Sequence, residues 1–527
     1  MSSNDHFTKQ EQDNSALTEP LIQSTDALEV PVDVEAVVAS SNVINVTVDQ
    51  ELLQIDENEW AHGEVQDFSC RDVFFAILFL LQVVVVLYFS TVGIASAESL
   101  VPANSSNDDS QTYDLSKVTF FLLSLAASVI GISSMTMLLL LGPLAQMMIQ
   151  VSLVMSPVTN FLASVMCLVV GQVVLAGFLF VVSLIGLCYA VGVWRRIPFA
   201  SANVTTAMAA LKENKGLFAL NFFVVFTATG WLLLWGFAIA QVTMQEKKWI
   251  YECHIDTGDD TFSQEDNCQV STRGKIILFA FLLSLYWTSQ VIKNCFHTTV
   301  AGVIGTWWFT PEADRPKGFC NTTIYNSWLR STIYSFGSIC LGSLLVAVLQ
   351  VLQVIVSLAR SDDRNSNGAN SILWCLLQCL VDILERVMEY INQWAFVYVG
   401  LYGYDYCTAG KNVYQLFKAR GWSVIINDQL VSRSLGFLQF WIGVVSGAIG
   451  VLLGLVFLMD PVTGGFLGFI LGLVLSNILF SVVNSAVDTV VVCFAESPST
   501  LRLNHPAEIS QRLFDTWKEV YPSECCW

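Results

Sequence analysis

From Val118 to Trp194 the chain contains no Asp, Glu, Lys or Arg. A water-facing helix or strand needs polar residues along one side, so no soluble core absorbs an uncharged run of that length. Three membrane helices of about 20 residues each do. The rest of the chain agrees: 54% of its 527 residues are apolar and 13% charged, about half the charged share of a soluble protein. The fold class expected is all-α, a polytopic integral membrane protein with about ten transmembrane helices.

The net charge of −19 is concentrated at one end. Residues 1–70 hold fifteen acids and a single base, Lys9. That stretch is rich in Ser, Asn, Asp and Glu and lacks a periodic apolar face, which predicts a disordered acidic tail. No basic patch for nucleic acid is visible. The N-terminus also lacks the basic-then-apolar pattern of a cleaved signal peptide, so the first span is expected to serve as an uncleaved anchor. Three regions follow: an acidic cytosolic tail over 1–70, a transmembrane domain over 71–495, and a cytosolic C-terminal tail over 496–527.

Apolar runs predict spans over Val73–Ala95, 118–141, 145–166, 168–193 and Leu217–Met244, with a polar loop from Arg195 to Gly216. Residues 276–309 are too long for one upright helix and too short for two. A further span is expected over 331–358, and the last two over Leu435–Met459 and Thr463–Cys493. Ser371–Gly400 is ambiguous, because Asp382, Glu385, Arg386 and Glu389 recur along it at helical spacing. Counting it gives ten spans and both termini on one side; omitting it gives nine. With ten spans and the N-terminus inside, sixteen Lys and Arg fall in cytosolic segments and seven outside, which favours that orientation.

The same orientation puts Asn104 of Asn104-Ser105-Ser106 outside, where it is expected to be glycosylated. Cys253 and Cys268 share an outside loop at a spacing suited to a disulfide, and two free thiols are the alternative. In the last two spans Gly443/Gly447, Gly450/Gly454 and Gly464/Gly468/Gly472 form small-residue stripes, read as helix-packing faces without chemistry.

The densest polar cluster inside an apolar segment is Trp287, Gln290, Asn294 and His297, whose three–four spacing aligns them on one helix face. Such a stripe is costly against lipid and should face protein or a watery path. Substrate lining and interhelical hydrogen bonding are equally good readings. Lys293 and His297 could instead mark the cytosolic boundary, with Trp307 and Trp308 in the interfacial belt. A quaternary ammonium is bound by aromatic faces, sometimes backed by a carboxylate. Tyr286, Trp231, Tyr334 and Tyr398 are aromatic candidates, though each serves equally as packing. The scarcer intramembrane carboxylates are Asp382, Glu385 and Glu389 on the ambiguous segment, Asp405 just beyond it, and Asp460 and Asp488 near span ends. No hydrolytic triad, phosphate-binding Gly loop or metal-ligand cluster is visible, so neither an enzyme nor a cofactor is expected.

Four ordered blocks carry a resemblance. They are WTSQVIKNCFHTTVAGVIGTWWF (Trp287–Phe309), YSFGSICLGSLLVAVLQ (Tyr334–Gln350), AFVYVGLYGYDYCTAGKNVYQLF (Ala395–Phe417) and AVDTVVVCFAE (Ala486–Glu496). With DVFFAILFLLQ from Asp72, they resemble the choline transporter-like family over about 70–500, in the manner of its plant, fungal and protist branch. The resemblance implies about ten spans, cytosolic termini, a plasma-membrane location and transport of choline, or of ethanolamine in some members. It also implies that the WTSQ block lies near the path. Animal relatives often carry an acidic residue where this chain has Gln290, which leaves open a different substrate, another organic cation or a neutral solute. A membrane scaffold or lipid-homeostasis protein acting through the acidic tail is the non-transport alternative. Partners expected are a small amine and membrane lipids, with no nucleic acid.

Overall fold

The computed structural model describes residues 64–100, 115–140, 144–244, 251–254, 267–319, 321–362, 368–420, 423–457 and 460–520. Residues 1–63 of the acidic tail expected over 1–70, and Asn104, lie outside them. Helices account for nearly all of the described chain, as expected of a membrane protein whose backbone must satisfy its own hydrogen bonds.

Long helices come first in pairs. α1 (Val73–Leu100), α2 (Leu115–Leu140), α3 (Leu144–Val169) and α4 (Val173–Val193) precede α6 (Gly216–Met244), and α7 (Thr272–Phe309) follows. Gly171, at φ 85°, makes the turn between α3 and α4 that closes the long uncharged run into a hairpin. α9 (Phe336–Asp362), α10 (Gly368–Tyr402), α12 (Ser423–Val456) and α13 (Pro461–Glu496) complete the set. Among the described residues, eight helices are long and apolar enough to cross a membrane. The ambiguous stretch at 371–400 is one continuous helix, α10, packed on α7 and α9.

Residues 276–309 also resolve into one helix. At 38 residues and about 1.5 Å per residue, α7 is ~57 Å long, well beyond a bilayer core. Its C-terminal half is buried on most sides by α9, α10 and α13.

The polar loop expected after Arg196 is instead a helix, α5 (Ile197–Glu213), buried along most of its length. Its Ala-rich sequence favours helix and lets neighbours approach closely. The C-terminal tail is likewise structured. α14 (Pro498–Asn504) and α15 (Ala507–Val520) fold back beneath the bundle, and Ser510, Leu513 and Trp517 form the buried stripe of α15. Phe199 of α5, Phe494 of α13 and Trp517 meet with ring centroids 5.2–5.9 Å apart. α5, α14 and α15 are 17, 7 and 14 residues long, each too short to cross a bilayer alone. The apolar residues of α15 sit on one face.

Trp307 and Trp308 end α7 against this cap and not in an interfacial belt. Trp308 is fully buried and donates its indole N–H to the Ser497 carbonyl at 3.2 Å. The Trp307 ring lies 3.9 Å from the His505 ring. Arg315 pairs with Glu213 at 3.2 Å and donates to the Asn504 carbonyl at 2.8 Å and to His505 Nδ1 at 3.0 Å. Burial first, and the Arg315 charge second, hold the His505 imidazole down to about 4.

On the same face, residues 64–72 form a clasp. The Gln66 amide donates to the Tyr402 carbonyl at 2.8 Å and the Arg71 amide to the Tyr334 carbonyl at 3.0 Å. Asp72, at φ 50°, accepts from Ser338 Oγ at 2.6 Å. A short helix, α8 (Thr322–Leu329), is capped by Asn321, whose side chain accepts from the Ile324 amide at 3.0 Å. The sequon asparagines Asn203 and Asn321 are both buried. α11 (Tyr406–Arg420) completes this layer.

The glycine stripes pack α12 against α13, the most extensive helix pair of the fold. A Cβ on Gly450 would stand 2.2 Å from the Gly464 carbonyl oxygen, and one on Gly464 2.6 Å from the Gly450 oxygen. The two backbones touch. Between α6 and α7 two four-residue strands, β1 (Tyr251–His254) and β2 (Asn267–Val270), form an antiparallel hairpin that sets the Cys253 backbone opposite Cys268. The two thiols themselves lie outside the described residues.

Candidate functional site

Three polar stripes converge in the bundle. On α7 they are Gln290, Lys293, Asn294 and His297; on α10, Arg386, Glu389 and Gln393; on α13, Asn477, Ser481, Ser485 and Asp488. Each recurs at three- or four-residue spacing, so each helix presents one polar face. Turned toward lipid these faces would be costly; turned toward one another, they line a cavity of about 1010 Å³ with Asn221 of α6 and Ser432 of α12. Its aromatic lining, among the described residues, comes from Phe296 and Tyr390.

His297 sits between α10 and α13. Its Nε2 lies 3.0 Å from the Gln393 carbonyl oxygen. A carbonyl only accepts, so Nε2 carries the hydrogen. Nδ1 lies 2.8 Å from Ser485 Oγ and 4.0 Å from the Asp488 carboxylate. In the neutral ring Nδ1 accepts the serine hydroxyl; in the protonated ring it offers a hydrogen toward α13, where Asp488 stands. Asp488 is 3% exposed.

Further polar contacts fix the walls. Asn294 donates to Ser343 Oγ at 2.9 Å, joining α7 to α9. Asn392 donates to the Gly342 carbonyl at 2.7 Å and accepts from the Tyr406 hydroxyl, joining α10 to α9 and α11. Asn221 donates to the Ile478 carbonyl, joining α6 to α13. Glu385 accepts from Gln353. At the rim, Lys293 Nζ lies 2.8 Å from Glu389 Oε1. Lys293 is thus an ion-pair partner across two helices.

Of the residues singled out by sequence, Gln290, Asn294 and His297 line this cavity together. The aromatic candidates do not. Trp287 is buried one turn away, donates its indole N–H to the Cys340 carbonyl at 2.9 Å and meets Phe79 edge-on at 5.3 Å. Tyr286 is half-buried on α7, outside the cavity lining. Trp231 packs on α6 with Val86, Val242 and Phe281. Tyr334 stacks against Phe68 of the clasp at 5.0 Å. Tyr398 is buried beside Tyr402, ring centroids 5.4 Å apart, and close to Glu496. Sequence reasoning set Asp488 near a span end and passed over its stripe, although Asn477, Ser481, Ser485 and Asp488 repeat at four, four and three residues. Among the described residues, no three His, Cys, Asp or Glu side chains stand together as metal ligands do.

The sequence model of the plasma-membrane choline transporter family matches residues 177–499. Protein PNS1 of Gibberella zeae is 29% identical over 360 residues, 66% of this chain and 63% of its own. Protein PNS1 of Eremothecium gossypii is 26% identical over 471 residues, 85% of this chain and 81% of its own. A CTL-like protein of Dictyostelium discoideum is 27% identical over 326 residues, covering 53% of that relative. The match to two of these three thus spans less than two thirds of their length. The matched stretch contains α6, α7, α10 and α13, and with them the polar cavity. The chain belongs to the plasma-membrane choline transporter family.

Proposed function

We propose that this chain carries choline, or a related small organic cation, across a membrane by way of the cavity between α7, α10 and α13. Family membership supports transport. The observation that carries the cation is Asp488, a carboxylate 3% exposed on the α13 side of the cavity beside Ser481, Asn484 and Ser485. A monovalent cation has a strong interaction with a carboxylate at low local dielectric, which an amide cannot replace. Gln290, Asn294 and His297 touch the substrate in this reading, Phe296 and Tyr390 supply aromatic faces, and Trp287 positions α7 against α9. His297, beside Asp488, is the group through which a proton would compete with the substrate. The sequence resemblance further supports a plasma-membrane location with both termini cytosolic; the orientation read from the Lys and Arg distribution, with the sequon and the cysteine spacing, supports glycosylation at Asn104 and a Cys253–Cys268 disulfide.

A second reading, a neutral solute, is favoured by the many amides and the small aromatic share of the lining. Uptake by liposomes holding the purified protein separates the two. Saturable uptake of radiolabelled choline, lost in Asp488→Asn, is the expected result. Uptake of a neutral polar solute with none of choline, in folded protein, would retire the cation.

A further inference from the structure

A cavity that selects cations already contains one. Lys293 Nζ lies 2.8 Å from Glu389 Oε1 at the rim, and both side chains line the cavity. They stand at different depths from Asp488: the Lys293 and Glu389 side chains are 63% and 45% exposed, against 4% for Asp488. Glu389 is joined through its own helix to the deep site, since Gln393, one turn on, receives the His297 N–H. The other charges on the cavity are Arg386 on α10 and Asp488 on α13, so with neutral His297 the empty lining balances to zero.

An arriving organic cation upsets that balance unless a carboxylate is given up to it. Asp488 is enclosed, whereas Glu389 is reachable but occupied. An exposed lysine–carboxylate pair contributes only about 0.2–1 kcal/mol, because each partner regains water when they separate. The Lys293 ammonium is therefore held weakly enough for a substrate cation to replace it, and its four-carbon stem lets it swing aside.

We propose that Lys293 is a tethered competitor for the substrate: its ammonium holds Glu389 in the empty cavity and is displaced when the organic cation arrives, so that the Lys293–Glu389 pair sets apparent affinity. The proposal rests on the cation-transport reading above and assigns a specificity-determining role to two residues of that same cavity. Glu389 is the first carboxylate the cation meets and Asp488 the second.

The test pairs kinetics with chemistry. In liposomes, Lys293→Gln should lower KM for choline by about 1.5- to 5-fold, the factor that an exposed pair of this strength allows. Lys293→Arg should keep the original KM. Glu389→Gln should raise KM, and adding Lys293→Gln to it should then change nothing further. Independently, acylation of Lys293 by a water-soluble amine reagent, read by mass spectrometry, should rise when choline is added at constant ionic strength. In Glu389→Gln it should be high from the start. Choline uptake with a KM indifferent to Lys293→Gln, or with labelling indifferent to choline, overturns the competitor while leaving choline transport intact. No uptake and no change in labelling would overturn both.

Discussion

His297 and Asp488 stand side by side on the cavity lining, the imidazole Nδ1 4.0 Å from the carboxylate, with Ser485 hydrogen-bonded to the same nitrogen. The two residues come from helices nearly two hundred positions apart in the chain. Their proximity makes the charge of one a condition for what the other can bind.

Removing the carboxylate is the most severe single change expected. Truncating one partner of a buried charge interaction costs about 2–5 kcal/mol, so Asp488→Asn should lower kcat/KM for choline by at least about 30-fold. Surface expression and the elution profile should be unchanged. A variant with wild-type kinetics would remove Asp488 from the site.

Protonation of His297 supplies a positive charge beside Asp488 and so opposes the substrate, with Lys293 on the same helix adding repulsion. KM for choline is therefore expected to rise on acidification, once the ring takes up a proton. His297→Gln should flatten that profile. A profile that survives the substitution would place the titrating group elsewhere.

The α12–α13 seam predicts a sharp contrast among glycines. At Gly450 an added methyl meets the Gly464 carbonyl at 2.2 Å, whereas at Gly436 nothing lies within 4 Å. Gly450→Ala should destabilise the protein by about 1–3 kcal/mol, seen as a lower melting temperature in detergent. Gly436→Ala on the same helix should melt with the original protein.

Docking of the C-terminal helices should weaken in acid. His505 is held at about 4 in the fold, against an ordinary 6.5, by burial and Arg315, with Glu213 opposing. Between those values the unfolded segment binds more protons than the docked one, so docking gains stability as pH rises. The contribution is complete above about 6.5 and is lost as pH falls toward 4. Hydrogen exchange over Ala507–Val520 should accelerate across that window, and His505→Gln should remove the acceleration. Exchange rates that follow only the intrinsic pH dependence would contradict the assignment.

The hairpin register sets the Cys253 and Cys268 backbones opposite each other. A disulfide there predicts that protein from an oxidising compartment keeps both thiols unreactive until reduced, as read by alkylation and peptide mapping. Ready alkylation of both without reductant would dismiss it.

How far the sequence could be read depended on what each residue had to satisfy. The run from Val118 to Trp194 could be nothing but membrane helices, and the glycine stripes could hardly serve except as close contacts. Gln290, Asn294 and His297 shared a face because helical spacing is local. Trp287 was harder. An aromatic ring beside a polar stripe looks like a cage for a cation, yet its indole N–H also needs an acceptor, and the Cys340 carbonyl fifty-three positions away meets that need. Asp488 was passed over because a carboxylate near a helix end looks like a boundary, and only the arrival of α7 opposite it makes it part of a site. α5, α14 and α15 escaped notice for a different reason. Each is short, and what covers it is a neighbour brought in by the fold: α5 along most of its length, α15 only along Ser510, Leu513 and Trp517.

The clasp over residues 64–72 gives the acidic tail a fixed address. Gln66 and Arg71 are bonded to the backbone at Tyr402 and Tyr334, and Asp72 to Ser338, before the chain enters α1. The stretch before α1 is thus fastened to the C-terminal end of α10 and the N-terminal end of α9, two helices that contribute Glu389 and Val346 to the cavity lining. Chains shortened to Val73 lose those bonds; chains beginning at Glu64 keep them.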